Sequence, residues 1–327
     1  MGVYNMIRGF GLACLFTLLS FVCFAQGRPP VCGPFAQFYN KDSINIVTFG
    51  ASTVQGVPAP LNFQGPLKSF LENCYKGKPI VITNYGIAGE TTTEGLNRFD
   101  VAIANQSGFL LILMGANDAV QIADGKARVS TTIANMREMV TRAKNHNLTV
   151  IIGTLQYFVE PPGKGSDARL AQRRNRVIDQ INAAYASLTK ELNIGLADFN
   201  AVIGRNKQLY SDDIHPNARG YHVLAFVFFD AINQMISERF QAAGVLQNYP
   251  NPANAFTKLR FNLSSAAAVK VSLYNVMGQR IGVVFDDYRN AGYHEEEIST
   301  LQYSPGMYFL VFEMLDLRFT KKIVIVH

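Results

Sequence analysis

Between residues 44 and 240 the chain switches repeatedly between two hydrophobic periods, and that alternation constrains the fold more than any other feature. Short apolar runs occupy residues 44–49, 79–84, 109–114, 148–155 and 194–199. Longer segments lie between them, with apolar residues at helical spacing: Leu67, Phe70 and Leu71; then Ile133, Met136, Val140 and Ala143. The stretch 109–114 is almost wholly apolar, as expected of a strand covered on both faces. Strand–helix alternation of this kind forces crossover connections, and so predicts a parallel sheet with helices on both faces. Helices are expected over 65–76, 92–104, 130–147, 168–192 and 217–240, with Pro216 at the first position of the last.

After residue 240 the pattern changes. Gln247-Asn248-Tyr249-Pro250-Asn251-Pro252 is a turn-rich connector. Period-2 alternation follows at Leu259, Phe261 and Leu263; at Val269, Val271 and Leu273; at Tyr308, Leu310 and Phe312; and over 323–326. Turn signals separate these runs, which predicts a small all-β sandwich. The N-terminus is different again. Arg8 precedes an apolar stretch over 9–24, and Cys23-Phe24-Ala25 resembles a signal-peptidase site with Gln26 as the mature start. The stretch is short for a bilayer span. The expected organisation is a signal peptide over 1–25, an α/β domain over 26–241 and a β-sandwich over 242–327, with no later segment long and apolar enough to span a membrane.

The chain has 327 residues, 48% of them apolar and 17% charged, which suits globular domains rather than disorder. Its formal charge of +6 is spread over scattered pairs such as Arg173-Arg174 and Lys321-Lys322. Without a basic block, a nucleic-acid partner is not expected. Removal of the leader would leave two cysteines, Cys32 and Cys74, which in an exported protein can pair and tie the N-terminal arm to the first helix. Two free thiols are the alternative.

The polar residues fall where the sheet ends. Gly50-Ala51-Ser52 follows the first strand, Gly86-Ile87-Ala88-Gly89 the second and Gly115-Ala116-Asn117-Asp118 the third. All three therefore lie at the carboxyl edge, where open α/β sheets place their sites. Ser211-Asp212-Asp213-Ile214-His215-Pro216 comes after the fifth strand and can reach the same rim. Ser52 is the candidate nucleophile, and a serine hydroxyl needs a base within hydrogen-bond reach. His215 is the candidate base, with Asp212 three residues earlier to hold the imidazole by its other nitrogen. The N–H groups of Ser52 and Gly89 and the Asn117 side chain are candidate donors to an oxyanion. Taken singly, each motif has a plain structural reading: Gly-x-Ser as a turn, Asn-Asp as a helix cap, Asp-x-x-His as a surface turn. Residues 156–165 form a turn-rich loop after the fourth strand, and Tyr157 and Phe158 there either line the substrate pocket or pack beneath the loop. No spacing of His, Cys, Asp and Glu suggests a metal, no cofactor is implied, and the Gly50 loop lacks the lysine of a phosphate loop.

Taken together and in this order, Phe49-Gly50-Ala51-Ser52, Asn84-Tyr85-Gly86-Ile87-Ala88-Gly89, Gly115-Ala116-Asn117-Asp118 and Asp212-x-x-His215 resemble the four motifs of the SGNH (GDSL-like) hydrolase family. That resemblance covers residues 44–240. It implies a three-layer, flavodoxin-like α/β fold, Ser52, Asp212 and His215 as catalytic residues, and an oxyanion hole from Ser52, Gly89 and Asn117. Ala51 departs from the Gly-Asp-Ser form of many members and affects loop support rather than the reaction. The implied activity is a secreted serine esterase acting on acetyl or short acyl esters, with carbohydrates as the expected substrate. A lipid esterase, lysophospholipase or thioesterase, or a non-catalytic glycan-binding protein, are the alternatives. Separately, Leu246-Gln247-Asn248-Tyr249-Pro250-Asn251-Pro252, Val271-Ser272-Leu273-Tyr274-Asn275-Val276-Met277-Gly278 and Ser304-Pro305-Gly306-Met307-Tyr308 resemble the type A sorting domain of the type IX secretion system. That implies export through the periplasm to the cell surface or beyond, with the secretion machinery as a partner. A carbohydrate-binding or adhesive β-sandwich is the alternative for this segment.

Overall fold

The computed structural model describes residues 30–33, 36, 39, 41–159, 168–242 and 244–326. The expected signal peptide over 1–25 lies outside the described residues, as do residues 160–167, which include part of the expected 156–165 segment. Residues from Cys32 onward form one compact unit.

Five parallel strands make the central sheet: β1 (Ile44–Gly50), β2 (Ile80–Gly86), β3 (Phe109–Leu113), β4 (Thr149–Gly153) and β5 (Gly195–Ala197), in the order β2-β1-β3-β4-β5. β3 and β4 are buried at every position, which accounts for their unbroken apolar sequences. The helices α2 (Gln64–Cys74) and α8 (Ala218–Ala242) pack against each other. A second group comprises α3 (Thr92–Ile103), α4 (Ala116–Ala123), α5 (Val129–Asn145) and α6 (Ala168–Leu192). In it α3 packs on α5, α4 on α6 and α5 on α6. Two short helices, α1 (Ser52–Gln55) and α7 (Phe199–Ile203), follow β1 and β5 directly. From β1 the chain runs to β2 on one side and then crosses to β3 on the other. Loops leaving β1 and β3 therefore diverge at their carboxyl ends and open a crevice there.

The second hydrophobic cluster belongs to antiparallel sheets. A three-stranded sheet has the order β10 (Gly292–Ser299), β7 (Phe256–Leu263), β6 (Gly244–Val245). A four-stranded sheet has the order β12 (Leu317–Ile325), β11 (Gly306–Met314), β8 (Ala267–Asn275), β9 (Arg280–Arg289). Alternate residues face inward, so Leu259, Phe261 and Leu263 join Val269, Val271, Leu273, Leu310 and Phe312 in one core.

Cys32 and Cys74 form a disulfide between the N-terminal arm and the end of α2, with Cα atoms 5.3 Å apart. Pro216 does not occupy the first position of the last helix. That helix begins at Ala218, and Asn217 caps it by accepting from the N–H groups of Arg219 and Gly220 at 3.0 and 3.1 Å. An Asn side chain satisfies the orphan donors of a helix start, which a proline ring cannot do; Pro216 instead forms an isolated bridge with Tyr210.

Candidate active site

Ser52 is the first residue of α1, a single turn that starts as soon as β1 ends at Gly50. This abrupt strand-to-helix change lifts the serine to the sheet rim. Two amides hold the turn from outside: Gln64 Nε2 and Asn84 Nδ2 donate to the Val54 carbonyl at 2.8 and 2.9 Å. Gly86, at the end of β2, passes so close beneath it that a Cβ would stand 2.1 Å from the Gln55 nitrogen.

His215 arrives on the loop between α7 and α8. Its Nε2 lies 2.9 Å from Ser52 Oγ, and its Nδ1 lies 2.7 Å from Asp212 Oδ2. The other carboxylate oxygen of Asp212 accepts from the N–H groups of Ile214 and His215, at 2.9 and 2.7 Å. One side chain therefore shapes the loop and orients the ring. Partial burial alone would raise the Asp212 pKa; the N–H groups of His215 and Ile214, then the imidazole, outweigh it and hold the carboxyl below its ordinary value.

Asn117 stands at the start of α4. Its Nδ2 donates to the Glu90 carbonyl at 2.8 Å, which spends one amide hydrogen and fixes the direction of the other. Glu90 is itself clamped. Arg98 makes a bidentate pair with its carboxylate through Nε and Nη2, and the same Nη2 donates to the carbonyls of Tyr85 (3.0 Å) and Gly50 (3.3 Å). A single guanidinium thus joins the ends of β1 and β2 to the segment that holds Asn117. Asp118, beside it, is buried and accepts from Thr92 N, Thr92 Oγ1 and Thr132 Oγ1. Gln156, also buried, donates to Thr53 Oγ1 at 2.9 Å and to the Ile214 carbonyl at 3.1 Å, tying the serine turn to the histidine loop.

The cavity at Ser52 measures about 220 Å³ and is lined by Ser52, Asn117 and His215 together with apolar Leu113, Met114, Val120, Leu155, Phe158 and Ile214. Arg174 and Asp213 complete its charged side. Of the expected pocket aromatics, only Phe158 is here. Tyr157 is not among the lining residues: its hydroxyl donates to Asp179 at 2.6 Å and Arg205 covers its ring at 4.6 Å. The bond to Asp179 and the contact with Arg205 engage Tyr157 outside this lining. Gly89 is absent from the lining as well. Open space surrounds its would-be Cβ, and its φ of +87° is what requires glycine. Among the described residues no group of His, Cys, Asp and Glu could hold a metal ion. The spacing of motifs pointed to Ser52, Asn117, Asp212 and His215. It gave no warning of Arg98, Gln156 or Arg174, whose roles depend on residues distant in sequence.

Residues 48–223 match the model of the GDSL-like lipase/acylhydrolase family, and residues 247–326 that of the secretion system C-terminal sorting domain. An uncharacterised lipoprotein from Bacillus subtilis is 33% identical over 86 residues, covering 25% of this chain and 35% of that protein. Among solved structures, a GDSL-like lipase from Bacteroides thetaiotaomicron is similar at 20% identity and a TM-score of 0.48, covering 67% of this chain and 97% of the other. The lipase/acylhydrolase from Enterococcus faecalis is similar at 23% identity and a TM-score of 0.49, covering 59% and 96%. An acetylxylan esterase from Geobacillus stearothermophilus is similar at 20% identity and a TM-score of 0.49, covering 59% and 96%.

Proposed function

Because this chain belongs to the GDSL-like lipase/acylhydrolase family and ends in a secretion sorting domain, which indicates a secreted or cell-surface protein, we propose that it is an exported serine esterase with Ser52, His215 and Asp212 as its catalytic residues. The observation that carries this reading is the continuous line Ser52 Oγ, His215 Nε2, His215 Nδ1, Asp212 Oδ2, with gaps of 2.9 and 2.7 Å.

In the proposed reaction Ser52 Oγ attacks the ester carbonyl carbon while its proton passes to His215 Nε2. The carbonyl electron pair moves onto oxygen, where the free hydrogen of Asn117 Nδ2 and the N–H of Ser52 stabilise it. Gly89 N–H is the third proposed donor. The C–O bond to the alcohol then breaks, and the alcohol takes the proton from Nε2. Water repeats the sequence on the acyl-serine, with His215 first as base and then as acid. Asp212 stays ionised throughout and stabilises the imidazolium.

The small cavity and its apolar lining favour an acetyl or other short acyl group, and a secretion signal favours a substrate outside the cell, such as an acylated carbohydrate. The test is hydrolysis of 4-nitrophenyl esters of rising chain length alongside acetylated sugars, with labelling by a serine-directed fluorophosphonate. Acetate should be the best ester, and labelling should vanish in Ser52→Ala. An intact protein that neither labels nor hydrolyses any ester would refute the reading and leave a glycan-binding protein on the same scaffold.

A further inference from the structure

Arg174 lines the Ser52 cavity, and the proposed acyl transfer does not use it. It projects from α6, on the same wall as Phe158, with its guanidinium carbon 5.0 Å from that ring's centroid. Five N–H donors are available, yet among the described residues it makes no hydrogen bond. Nε is buried without an acceptor. The carboxylate facing it, Asp213, approaches no nearer than 3.9 Å and is 45% exposed. Asp213 is positioned through its backbone, whose carbonyl accepts from Val159 N at 2.7 Å, so the loose pair is not what shapes the loop. His215, the other ionisable residue lining the cavity beside Arg174 and Asp213, is engaged with Asp212 at 2.7 Å.

An unfilled guanidinium stacked on an aromatic ring beside a reactive centre suits a planar anion. A carboxylate can take two parallel hydrogen bonds from it, and a half-exposed ion pair at the limit of contact offers little competition. A second observation gives the direction. Phe158 also lines a further cavity of about 230 Å³, and Arg205 stands in that cavity's wall. A second guanidinium therefore stands beyond Phe158, within reach of further acidic units of a long alcohol portion.

We propose that Arg174 is a specificity residue for esters whose alcohol portion carries a carboxylate, such as an acylated acidic sugar polymer. The inference rests on the esterase reading above. A substrate of this class bonds its carboxylate to Arg174 while Ser52 attacks the acyl carbon, and further acidic units extend past Phe158 toward Arg205.

The experiment compares two pairs of probes that differ only in charge. For the alcohol side these are 4-acetoxybenzoate and 4-acetoxybenzamide; for the acyl side, 4-nitrophenyl hemisuccinate and 4-nitrophenyl succinamate. Each rate is normalised to that ester's reaction with hydroxide. The intact protein should favour the benzoate over the benzamide in kcat/KM by on the order of tenfold or more, the scale of a charged hydrogen bond. The preference should shrink in high salt, collapse toward unity in Arg174→Gln and partly return in Arg174→Lys. A ratio near one in the unmodified protein, a ratio unchanged in Arg174→Gln, or a preference confined to the succinate pair overturns the assignment. Hydrolysis of both aromatic acetates at equal rates would overturn it while leaving the esterase reading intact; hydrolysis of none of the four would remove both.

Discussion

Replacing Asp212 by Asn separates the two jobs that this side chain performs. The amide oxygen can still accept from Ile214 N and His215 N, which Asp212 Oδ1 meets at 2.9 and 2.7 Å, so the loop should keep its shape. The amide nitrogen, however, now faces His215 Nδ1 across the 2.7 Å gap that Asp212 Oδ2 occupied. Two donors cannot share that gap, so the ring shifts its proton to Nε2, the atom that receives the proton of Ser52 in the proposed reaction. If the proposed reaction holds, the wrong tautomer and the loss of an anion to stabilise the imidazolium should lower kcat by about 10⁴, roughly 5 kcal/mol of barrier. Asp212→Ala is the control. It removes the loop acceptor as well, so it should cost about 1–2 kcal/mol of stability from two partly exposed N–H groups, which Asp212→Asn should largely retain. Initial rates on 4-nitrophenyl acetate and thermal melting of both variants supply the numbers. A kcat for Asp212→Asn within tenfold of the unmodified enzyme, with melting unchanged, would show that the carboxylate does not orient the base.

The same carboxyl gives a pH prediction. Its folded pKa is lowered from an ordinary value of 3.8, so its contribution to stability is present above that value and is lost as pH falls through the lower folded one. Melting curves in acid should therefore be less steep with pH for Asp212→Asn than for the unmodified protein. Asn117→Ala should lower kcat by on the order of 10²–10³ with KM nearly unchanged, and an equal loss in binding of a substrate analogue would refute its role as a transition-state donor. Gly86→Ala would press a Cβ to 2.1 Å from the Gln55 backbone nitrogen, so fluorophosphonate labelling of Ser52 should be lost or strongly slowed even where circular dichroism reports a folded protein. The bond between Cys32 and Cys74 spans 42 residues of sequence, so chain entropy predicts a stabilisation of up to about 4 kcal/mol. Melting should drop on reduction, and two titratable thiols in the unreduced mature protein would refute the bond. Removal of residues 247–326 should leave the enzyme active but retained in the periplasm of a competent host; continued release would refute export by the tail.

The α/β architecture was readable because buried strands and amphipathic helices carry different periods, and tertiary packing reinforces both. Ile44, Phe109 and Val150 sit where their apolar runs placed them. In the tail the same logic found β7, β8, β11 and β12, whose alternate residues are buried. It missed β9 and β10, which have no fully buried position and are held by ladder pairing and by contacts such as the His294 ring stacked on Phe261. Short helices such as α1 and α7 escaped as well, since four or five residues cannot display a helical period. At the candidate site, motif order pointed to the residues that would do chemistry but not to those that place them. Arg98 acts through carbonyls of Gly50 and Tyr85, and a carbonyl has no side-chain identity to read. Gln156 joins Thr53 to Ile214 across more than a hundred residues of chain, and nothing local marks it.

The tail meets the α/β body through Tyr39, which bridges to Leu317, and Lys41, which pairs with Asp316 at 3.0 Å. Gly108, Phe109 and Thr149, where β3 and β4 begin, line the same junction. Ser52 lies where β1 finishes, so the sorting domain and the proposed nucleophile occupy opposite poles of the sheet. A protein held at a cell envelope through this domain would turn the Ser52 end of the sheet outward, leaving the proposed site open to large substrates without release.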